Sequence, residues 1–386
     1  MKLLRVIATI DPKTGGPIEG LKRASLIMSE MEVQVEIACL DAPGDLADEV
    51  AALPWKVHSL GPHKLGHYAY APRFKEWLAA HVGNYDAVII HGMWQYHGFA
   101  TARACKKLGV PYFVYTHGML DPWFNRTYPL KKLKKQLYWF WGEHPVLSNA
   151  SAVLFTSEEE CRLARQSFSP YKVNEKVIGY GTTAPDLDIE TIVPRFRAHA
   201  GAWGARPYFV FLGRIQEKKG LDLLVAAYSK LRQTNPDIPD LVIVGPQQQP
   251  AYATRIQADS PQDGIFWVDA LEGEKKWEVL AAAEALALVS HQENFGLVVA
   301  EALAVGTPVL ISDKVNIWRE ISEGGAGFIQ PDTREGARKL LMSWLSLDQA
   351  QKANMADQAK AVYHEHFEIR KATELLIAYI EATLKP

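Results

Sequence analysis

The sequence has little cysteine and no long hydrophobic run, and each absence argues against a class of protein. Cys39, Cys105 and Cys161 stand far apart and form no Cys-x-x-Cys pair, which argues against a disulfide framework or a zinc ribbon and suits reduced thiols in the cytosol. No segment approaches the ~20 apolar residues of a membrane-spanning helix. Because Arg5 and Asp11 interrupt its apolar start, we interpret that start as a first β-strand and not as a signal peptide. We therefore expect a cytoplasmic protein.

An excess of charge of either sign is also absent. Lys and Arg number 42 against 44 for Asp and Glu, for a formal net charge of −2. The whole molecule therefore has no attraction for nucleic acid, and any site for an anion must be local. With 386 residues, 48% of them hydrophobic and 22% charged, the chain has a globular composition and the length of two domains.

Short β-branched and aromatic runs alternate with helical patterns along the chain. Strands are predicted at 3–8, 33–39, 87–90, 112–115, 152–155, 208–212, 241–244, 265–268, 285–289 and 308–311. Near-continuous apolar strands separated by helices indicate parallel sheets covered on both faces, and this pattern occurs twice. A breaker-rich segment, 182–206, marks the boundary. We predict an α/β fold of two doubly wound, Rossmann-like domains, 1–185 and 186–365, with 366–386 as a C-terminal helix that returns to the first domain.

Unusual residues stand at the carboxyl ends of the predicted strands. They are Gly15 and Gly16 after the first strand, His117 after a middle strand, and Arg214, Gly245 and Glu293 after strands of the second half. In open parallel sheets, ligands bind beyond the carboxyl ends of the strands, where loops and helix N-termini converge. Two domains that offer such edges could form one interdomain cleft, and we expect the site there.

The segment 290–312, SHQENFGLVVAEALAVGTPVLIS, is the most informative. Glu293 lies in the loop after a strand, and Glu301 lies eight positions further along, on the next predicted helix. The free N–H groups where that helix begins, near Gly296, could hold a phosphate. The carboxylates could accept hydrogen bonds from sugar hydroxyls and from a ribose diol. The alternative is a solvated helix that carries ordinary glutamates.

Two cations stand at the corresponding strand end of the second half. Arg214 follows a strand, and Lys218 and Lys219 precede a helix that begins after Gly220. Lysine at a helix N-terminus opposes the helix dipole, so this position suggests an anionic partner. Arginine can bind two phosphate oxygens at once and lysine adds a point charge, so together they could neutralise a diphosphate without a metal. The alternative is a surface lysine pair in water.

These motifs together resemble a known family. They are Gly213-Arg214, Glu217-Lys-Lys219-Gly220, Glu293-x7-Glu301 and Gly306-Thr-Pro308. In this order they resemble retaining glycosyltransferase family 4, of the GT-B fold, and the similarity covers nearly the whole chain. The segments HGMWQYH, THGMLDPWF and DKVNIWREI resemble bacterial members that build exopolysaccharide or lipopolysaccharide. Where relatives often have Pro-Asn-Gly before the second domain, this chain has Gly179-Tyr180-Gly181.

The resemblance implies roles for particular residues. Arg214 and Lys219 would bind the donor diphosphate and stabilise its departure, and Glu293 would contact the transferred sugar. His117 would stabilise positive charge at C1, or contact the sugar 6-hydroxyl, through its ring or a nearby carbonyl. The donor-binding residues would be Gly15, Gly16, Gly245, Asn294, Phe295, Gly296, Leu297 and Glu301.

The resemblance also implies the kind of reaction. The donor would be a nucleotide-diphosphate sugar, with a UDP-sugar favoured over a GDP-sugar, and no metal or other cofactor is expected. Retention without a covalent nucleophile implies attack on the front face of the sugar, with the leaving phosphate accepting the acceptor's proton. Catalysis would then depend on positioning and on electrostatic stabilisation of the leaving group.

A basic segment of the first half could contact a membrane. Lys131, Lys132, Lys134 and Lys135 precede a run of four aromatic residues, Tyr138 to Trp141. Basic residues beside interfacial aromatics suit an anionic membrane surface or a lipid-diphosphate acceptor. The alternative is a solvated basic helix whose aromatics belong to the core, since four adjacent side chains cannot share one helix face.

Two possible metal sites are rejected. Asp186-Leu-Asp188 matches the metal-binding Asp-x-Asp motif of another glycosyltransferase fold, but it lies in the predicted linker, where a turn is favoured. His91, His97 and His117 match no common zinc spacing.

We interpret the chain as a retaining glycosyltransferase that acts on a lipid-linked or oligosaccharide acceptor, peripheral to the inner face of the cytoplasmic membrane. The alternatives are a GT-B-type epimerase or phosphorylase and a nucleotide-sugar-binding regulatory protein without catalysis.

Overall fold

The computed structural model describes residues 1–258, 260 and 263–385. The chain divides into two compact units. The first contains residues 1–180 together with the C-terminal helix, and the second is Gly181–Glu368. The division therefore lies just before the breaker-rich segment 182–206, and that segment itself contains a helix of the second unit.

The first unit is built on a seven-stranded sheet. Its strands are β1 Lys2–Ile7, β2 Gln34–Cys39, β3 Lys56–Ser59, β4 Ala87–His91, β5 Tyr112–Tyr115, β6 Ala152–Phe155 and β7 Glu175–Val177. Their order is β3-β2-β1-β4-β5-β6-β7, and neighbouring strands are parallel. All five strands predicted in this half are present. The two edge strands, β3 and β7, were not predicted.

Helices cover both faces of this sheet. They are α1 Gly16–Glu30, α2 Ala47–Ala51, α3 Pro72–His81, α4 Tyr96–Leu108, α5 Pro122–Thr127, α6 Pro129–Tyr138, α7 His144–Ser148 and α8 Glu158–Ala164. Local signals account for several ends. The Ser157 hydroxyl accepts the N–H of Glu160, 3.1 Å away, at the start of α8. Gly109, in the left-handed conformation, ends α4.

The second unit is built on a six-stranded sheet. Its strands are β8 Tyr208–Leu212, β9 Asp240–Val244, β10 Ile265–Val268, β11 Ala285–Leu288, β12 Val309–Ser312 and β13 Gly327–Gln330. Their order is β10-β9-β8-β11-β12-β13, again with parallel neighbours. The five predicted strands are present, and the edge strand β13 was missed.

The helices of the second unit alternate with these strands. They are α9 Ile189–His199, α10 Leu221–Thr234, α11 Pro250–Ala258, α12 Glu274–Ala281, α13 Leu297–Ala304, α14 Trp318–Glu323, α15 Arg334–Leu345 and α16 Gln349–Val362. The last of them begins with a capping box. The Asp348 carboxylate accepts the N–H of Gln351, and the Gln351 side chain accepts the N–H of Asp348.

The C-terminal helix, α17 Ile369–Leu384, belongs to the first unit. It packs beside α1. Its buried residues Leu376, Ile377 and Ile380 join an apolar cluster that includes Ile18 and Leu21 of α1. The apolar face of α17 is thereby removed from water, which is the main source of stability for an amphipathic helix.

Each sheet reverses its strand order at one place. In the first unit this place lies between β1 and β4, and in the second it lies between β8 and β11. The loops that leave two such neighbouring strands turn to opposite faces of the sheet and leave a crevice between them, which is where doubly wound sheets bind ligands. The predicted residues after β1, β8 and β11 therefore lie at the two switch points.

Candidate active site

In the second unit, the loops after β8 and β11 lie against each other. Gly220 has φ +60°, and a Cβ there would lie 2.0 Å from the Val289 carbonyl oxygen. Gly245, after β9, is equally constrained, since its Cβ would lie 2.1 Å from the Gly213 carbonyl oxygen. Only glycine fits such close approaches between backbones. Gly220 thus brings the loop that carries Lys219 against the loop after β11 that carries Glu293, and Gly245 brings the loop after β9 against the start of the loop after β8.

Lys219 and Glu293 form an ion pair across these loops. The Lys219 Nζ donates to Glu293 Oε2. Only 11% of the lysine side chain and 15% of the glutamate side chain are exposed. Burial acts to raise the pKa of Glu293, but Lys219, Lys218 and Arg214 outweigh it, and the pKa lies below its ordinary value. Glu293 is therefore an ionised acceptor of hydrogen bonds at neutral pH.

The backbone of Glu293 is held on both sides. Its N–H donates to the Lys314 carbonyl at 2.9 Å, and its carbonyl accepts the N–H of Asn316 at 3.0 Å. Together these bonds form a parallel bridge between Glu293 and Val315. The loop after β11 is thus attached to the loop after β12, and the carboxylate stands on a fixed backbone.

Arg214 completes the cationic group that sequence reasoning predicts. It is half-buried and lies close enough to Glu293 to lower the pKa of that carboxyl. Over the described residues it has no hydrogen-bond or ion-pair partner. The Lys219 ammonium has three N–H donors and gives one to Glu293. Donors on both side chains remain for an anion, so Arg214, Lys219 and Glu293 share one site.

The sequence prediction places the start of this helix near Gly296, and in the structure α13 begins at Leu297. Phe295 lies before the helix, where its buried ring packs against Phe367 at 5.7 Å between centroids. Gly296, with φ +75°, is the N-cap, and no side chain caps the helix. The first amides of α13, beginning at Leu297, have no acceptor within the helix. Asn294 is half-buried in the preceding loop.

Glu301 lies on α13 but not in the cluster of Arg214, Lys219 and Glu293. It is 5% exposed, and its Oε1 accepts from the Lys276 Nζ on α12 at 2.7 Å. The same ammonium lies 4.7 Å from the centroid of the Trp277 ring. Sequence reasoning missed Lys276, although a lysine in the first turn of a helix was an available signal.

In the first unit, the predicted glycines lie where α1 begins. Gly15, with φ +91°, is the N-cap of α1, and Gly16 is its first residue. The Gly16 carbonyl accepts a hydrogen bond from the Tyr180 hydroxyl at 3.2 Å. The Tyr180 ring lies 6.1 Å from the His117 ring, edge to face. The tyrosine that departs from the Pro-Asn-Gly pattern therefore links Gly16 with His117.

His117 lies just after β5 with φ +47°, a left-handed conformation that is uncommon outside glycine. Its Nε2 lies 3.1 Å from the Nδ1 of His91, and the Nε2 of His91 accepts from the guanidinium of Arg5. Burial and the charge of Arg5 lower the pKa of His117 to about 3. The ring is therefore neutral at physiological pH. Sequence reasoning missed Arg5 as a part of this site, and it paired His91 with His117 only as possible metal ligands.

The histidines do not converge as metal ligands. His97 Nε2 donates to the backbone carbonyl of His91 at 2.9 Å, so His97 points away from the contact between His91 and His117. Asp188 accepts from the Thr191 hydroxyl at the start of α9. Across the described part of the chain, no group of three His, Cys, Asp or Glu side chains is arranged to hold a metal ion.

The basic segment forms α6 and the π-helical turn Trp139–Glu143. Its four lysines differ in environment. Lys131, Lys132 and Lys134 are exposed, whereas Lys135 is half-buried, with its Nζ 4.3 Å from the Trp94 ring centroid. Burial lowers the pKa of Lys135.

The aromatics of this segment also divide between two environments. Trp139 is fully buried, whereas Phe140 and Trp141 are exposed. Exposed Leu130, Leu133 and Leu137 precede them on the same segment. Of the two interpretations drawn from the sequence, a place in the core thus holds for Trp139, and the membrane contact stays a prediction. None of the helices in the described residues has the length and apolar character needed to cross a membrane.

Two family models match the chain, one after the other. A model of a glycosyl transferase 4-like domain matches residues 15–181, and a model of glycosyl transferases group 1 matches residues 194–362. The first match includes His117, and the second includes Arg214, Lys219 and Glu293. With two parallel α/β units of this kind, the chain belongs to the glycosyltransferases of the GT-B fold that these models describe.

Two named relatives match part of this chain. The chain is similar to D-inositol 3-phosphate glycosyltransferase of Jonesia denitrificans, with 28% identity over 62% of this chain and 58% of that protein. It is also similar to alpha-maltose-1-phosphate synthase of Mycolicibacterium smegmatis, with 27% identity over 63% of this chain and 64% of that protein. The chain thus spans less than two thirds of the length of these relatives.

Solved structures have the same fold. The crystal structure of Anabaena HepE in complex with UDP and glucose covers 99% of this chain and 100% of its own, with a TM-score of 0.75 and 18% identity. The structure of WaaG, a glycosyltransferase involved in lipopolysaccharide biosynthesis, covers 98% of this chain and 99% of its own, with a TM-score of 0.68 and 14% identity. At these identities the likeness concerns the fold.

Proposed function

We propose that this chain is a retaining glycosyltransferase that moves a sugar from a nucleotide-diphosphate donor, with a UDP-sugar favoured over a GDP-sugar. The observation that carries the proposal is the group of Arg214, Lys219 and Glu293 at the switch point of the second sheet. Relatives named as glycosyltransferases and a fold neighbour solved with UDP and glucose support it.

The charges of this group suit a diphosphate leaving group. Arg214 and Lys219 offer N–H donors to phosphate oxygens, and each positive charge stabilises the negative charge that develops as the bond to C1 breaks. Glu293 is ionised, so it would accept hydrogen bonds from hydroxyls of the transferred sugar. The amides at the start of α13 would add donors to the phosphate. The leaving phosphate would itself accept the proton of the acceptor hydroxyl.

The mechanism proposed here needs no metal and no covalent nucleophile. Glu293 is committed to Lys219, and Glu301 is committed to Lys276. Neither carboxylate is placed as an unengaged nucleophile, which favours attack on the same face that the diphosphate leaves. Stabilisation of the leaving group and positioning would supply most of the rate enhancement.

Donor binding and transfer test the proposal. The protein is screened by thermal shift against UDP-, GDP- and ADP-sugars, since a ligand at 100 times its dissociation constant stabilises by about 2.7 kcal/mol. Arg214→Met and Lys219→Met should abolish the shift. Lys314→Met is the matched control, because Lys314 is an exposed lysine of the same unit that pairs with Asp313. Transfer to an acceptor with retained configuration, read by NMR, completes the test.

Two other outcomes separate the competing functions. Binding of a nucleotide sugar without transfer or hydrolysis would favour a regulatory binding protein. Interconversion of free nucleotide sugars without an acceptor would favour an epimerase. No thermal shift with any nucleotide sugar would contradict all three, because each of them requires the donor site of the second unit.

We further propose a lipid-linked or oligosaccharide acceptor, in the biosynthesis of exopolysaccharide or lipopolysaccharide, at the inner face of the cytoplasmic membrane. The surface of α6 and the turn after it supports the membrane contact. Leu133, Leu137 and Trp141 follow one another at spacings of four and are 64%, 62% and 63% exposed, so they lie on one helical stripe. Lys131 and Lys134 flank them. An apolar stripe beside lysines suits an anionic lipid surface.

Binding to liposomes tests this surface. Vesicles that contain anionic lipid should retain the wild-type protein, and glutamate at positions 131, 132, 134 and 135 should release it. Leu133→Ser with Leu137→Ser should weaken binding without changing charge. The matched control replaces Lys106 and Lys107, two exposed lysines of α4, with glutamate. Equal retention of all variants would contradict the membrane contact.

A further inference from the structure

Arg5, His91 and His117 form a hydrogen-bonded row across the middle of the first sheet, in which Arg5 and His91 are buried and His117 is half-buried. Arg5 on β1 is 2% exposed, and His91 at the end of β4 is 3% exposed. Arg5 Nε and Nη2 lie 3.2 and 3.1 Å from His91 Nε2. His91 Nδ1 lies 3.1 Å from His117 Nε2. The row of side chains thus runs from β1 through β4 to the loop after β5. These three strands are neighbours in the sheet.

Arg5 is held in place by other hydrogen bonds, and towards His91 it can act only as a hydrogen-bond donor. Successive side chains of β1 alternate between the faces of the sheet, and Arg5 lies on the face that α1 covers. Its Nη1 donates to the Leu21 carbonyl and to the Ser25 hydroxyl oxygen, both at 2.9 Å. The pKa of Arg5 falls to about 10, mainly through burial, so the group stays charged at neutral pH. A guanidinium has no acceptor atom.

The direction of the hydrogen bonds then follows. Because Arg5 donates to the Nε2 of His91, that nitrogen is an acceptor and carries no proton. A neutral imidazole has one N–H, so the proton of His91 lies on Nδ1 and is donated to the Nε2 of His117. The Nε2 of His117 is therefore also an acceptor, and its proton lies on Nδ1. Burial, first, and then the charge of Arg5 lower the pKa of both rings, so neither is charged.

We propose that Arg5 and His91 are positioning residues that hold His117 as a neutral imidazole with its proton on Nδ1. The role in transfer rests on the proposed function. Nδ1 makes no hydrogen bond within the described residues, and it offers an N–H donor to a hydroxyl oxygen of the sugar. The lone pair of Nε2 is used by His91, so the ring is not a base.

The geometry of His117 supports this assignment. Its ring is nearly parallel to those of His91 and Tyr115, with interplanar angles of 18° and 19° and centroids 5.3 and 5.5 Å away. The residue is held at φ +47°, a strained conformation that persists where the surroundings determine it. Burial of an arginine in a parallel strand is also unfavourable unless its donors are satisfied. Here two imidazoles and one helix, α1, are arranged around that charge.

The tautomer is measured directly on the full chain. The protein is labelled with ¹⁵N-histidine, and correlation of ring protons with ring nitrogens at neutral pH identifies the protonated nitrogen of each histidine. A spectrum of His117→Asn assigns the signals of His117. The proposal expects an Nδ1–H form of His117 and of His91. An Nε2–H form of either ring, or a charged ring, would overturn it without the need for any other variant.

Variants of His91 then test the positioning role. His91→Gln offers an amide oxygen to Arg5 and an amide N–H to His117, so it should keep the tautomer and most of the activity. His91→Leu removes the donor, and we expect both tautomers of His117 and about a fivefold lower kcat/KM, the value of one hydrogen bond. Unchanged tautomer and activity in His91→Leu would overturn the role.

The proposed function and the proposed proton arrangement of His117 would fail in distinguishable ways. If the tautomer is Nδ1–H but no sugar is transferred, the proposed function fails and the proton arrangement stands. If sugar is transferred but the tautomer is Nε2–H, the arrangement fails and the function stands. Ser25→Ala is the control, because it removes one partner of Arg5 without touching either ring, and it should leave the tautomer of His117 as in the wild type.

Discussion

The ion pair of Lys219 and Glu293 allows a sharp prediction about stability. Lys219→Met removes the charge and leaves Glu293, 15% exposed, without the cation that most lowers its pKa. A partly buried charge that loses its partner costs about 1–3 kcal/mol, so we expect the free energy of unfolding to fall by about 2 kcal/mol at pH 7. For a domain of about 150–250 residues this is a fall in Tm of about 4–8 °C.

The pH dependence of this loss has a definite sign. In the wild type the folded-state pKa of Glu293 is lowered, so its contribution to stability is present above the unfolded pKa of about 4.3 and lost as the pH falls through the lower folded value. In Lys219→Met the folded-state pKa rises, which destabilises the protein above the unfolded value. The difference in Tm between the two proteins is therefore greatest near pH 7 and shrinks towards pH 4.

A double-mutant cycle supplies the measurement. Thermal unfolding is recorded for the wild type, Lys219→Met, Glu293→Gln and the double variant. We expect the double variant to be more stable than the sum of the single losses by about 1 kcal/mol or more. Lys314→Met, at an exposed pair, should change stability by less than about 0.5 kcal/mol. Additive losses in the cycle, or a Tm difference that does not change with pH, would refute the reasoning.

Two more predictions concern the loops around this pair. Gly220→Ala places a Cβ 2.0 Å from the Val289 carbonyl oxygen at φ +60°, so the loop must move. We expect a loss of about 2 kcal/mol or more in thermal unfolding, together with weaker donor binding, and a wild-type Tm would contradict the close approach. The second concerns His291, whose pKa is raised by its hydrogen bond to Asp332. Its contribution is complete below the unfolded pKa of about 6.5 and is lost as the pH rises through the folded value. Asp332→Asn should therefore be less stable than the wild type by about 0.5–1 kcal/mol near pH 6, with the gap closing by pH 9, and a gap that widens with pH would contradict the assignment.

The strands that sequence reasoning missed share a physical cause. β3, β7 and β13 are edge strands of three or four residues, and most of their side chains are only partly buried. A central strand is buried on both faces and therefore appears as a continuous apolar run, which the sequence displays. An edge strand has one neighbour and contains polar residues, so its pattern resembles that of a loop.

The site was predictable in part. Arg214, Lys219 and Glu293 each follow a buried strand, and the rule that ligands bind at strand ends selects them. The partner of Glu301 was not predictable, because Lys276 lies on a different helix and only packing brings the two together. The sequence pattern also could not show which aromatics after α6 are buried. The fold buries Trp139 and leaves Trp141 exposed.

The sequence by itself determined the two parallel α/β domains, because apolar runs and helical periodicity are local properties that burial imposes on each element. It also determined which residue types stand at the strand ends. Only the tertiary structure decided which of them meet. Lys219 reaches Glu293 because β8 and β11 are neighbours across the switch point, and the proton of His117 is placed by Arg5, 112 positions earlier in the sequence. Such contacts depend on strand order, and strand order is a property of the whole sheet that no local pattern contains.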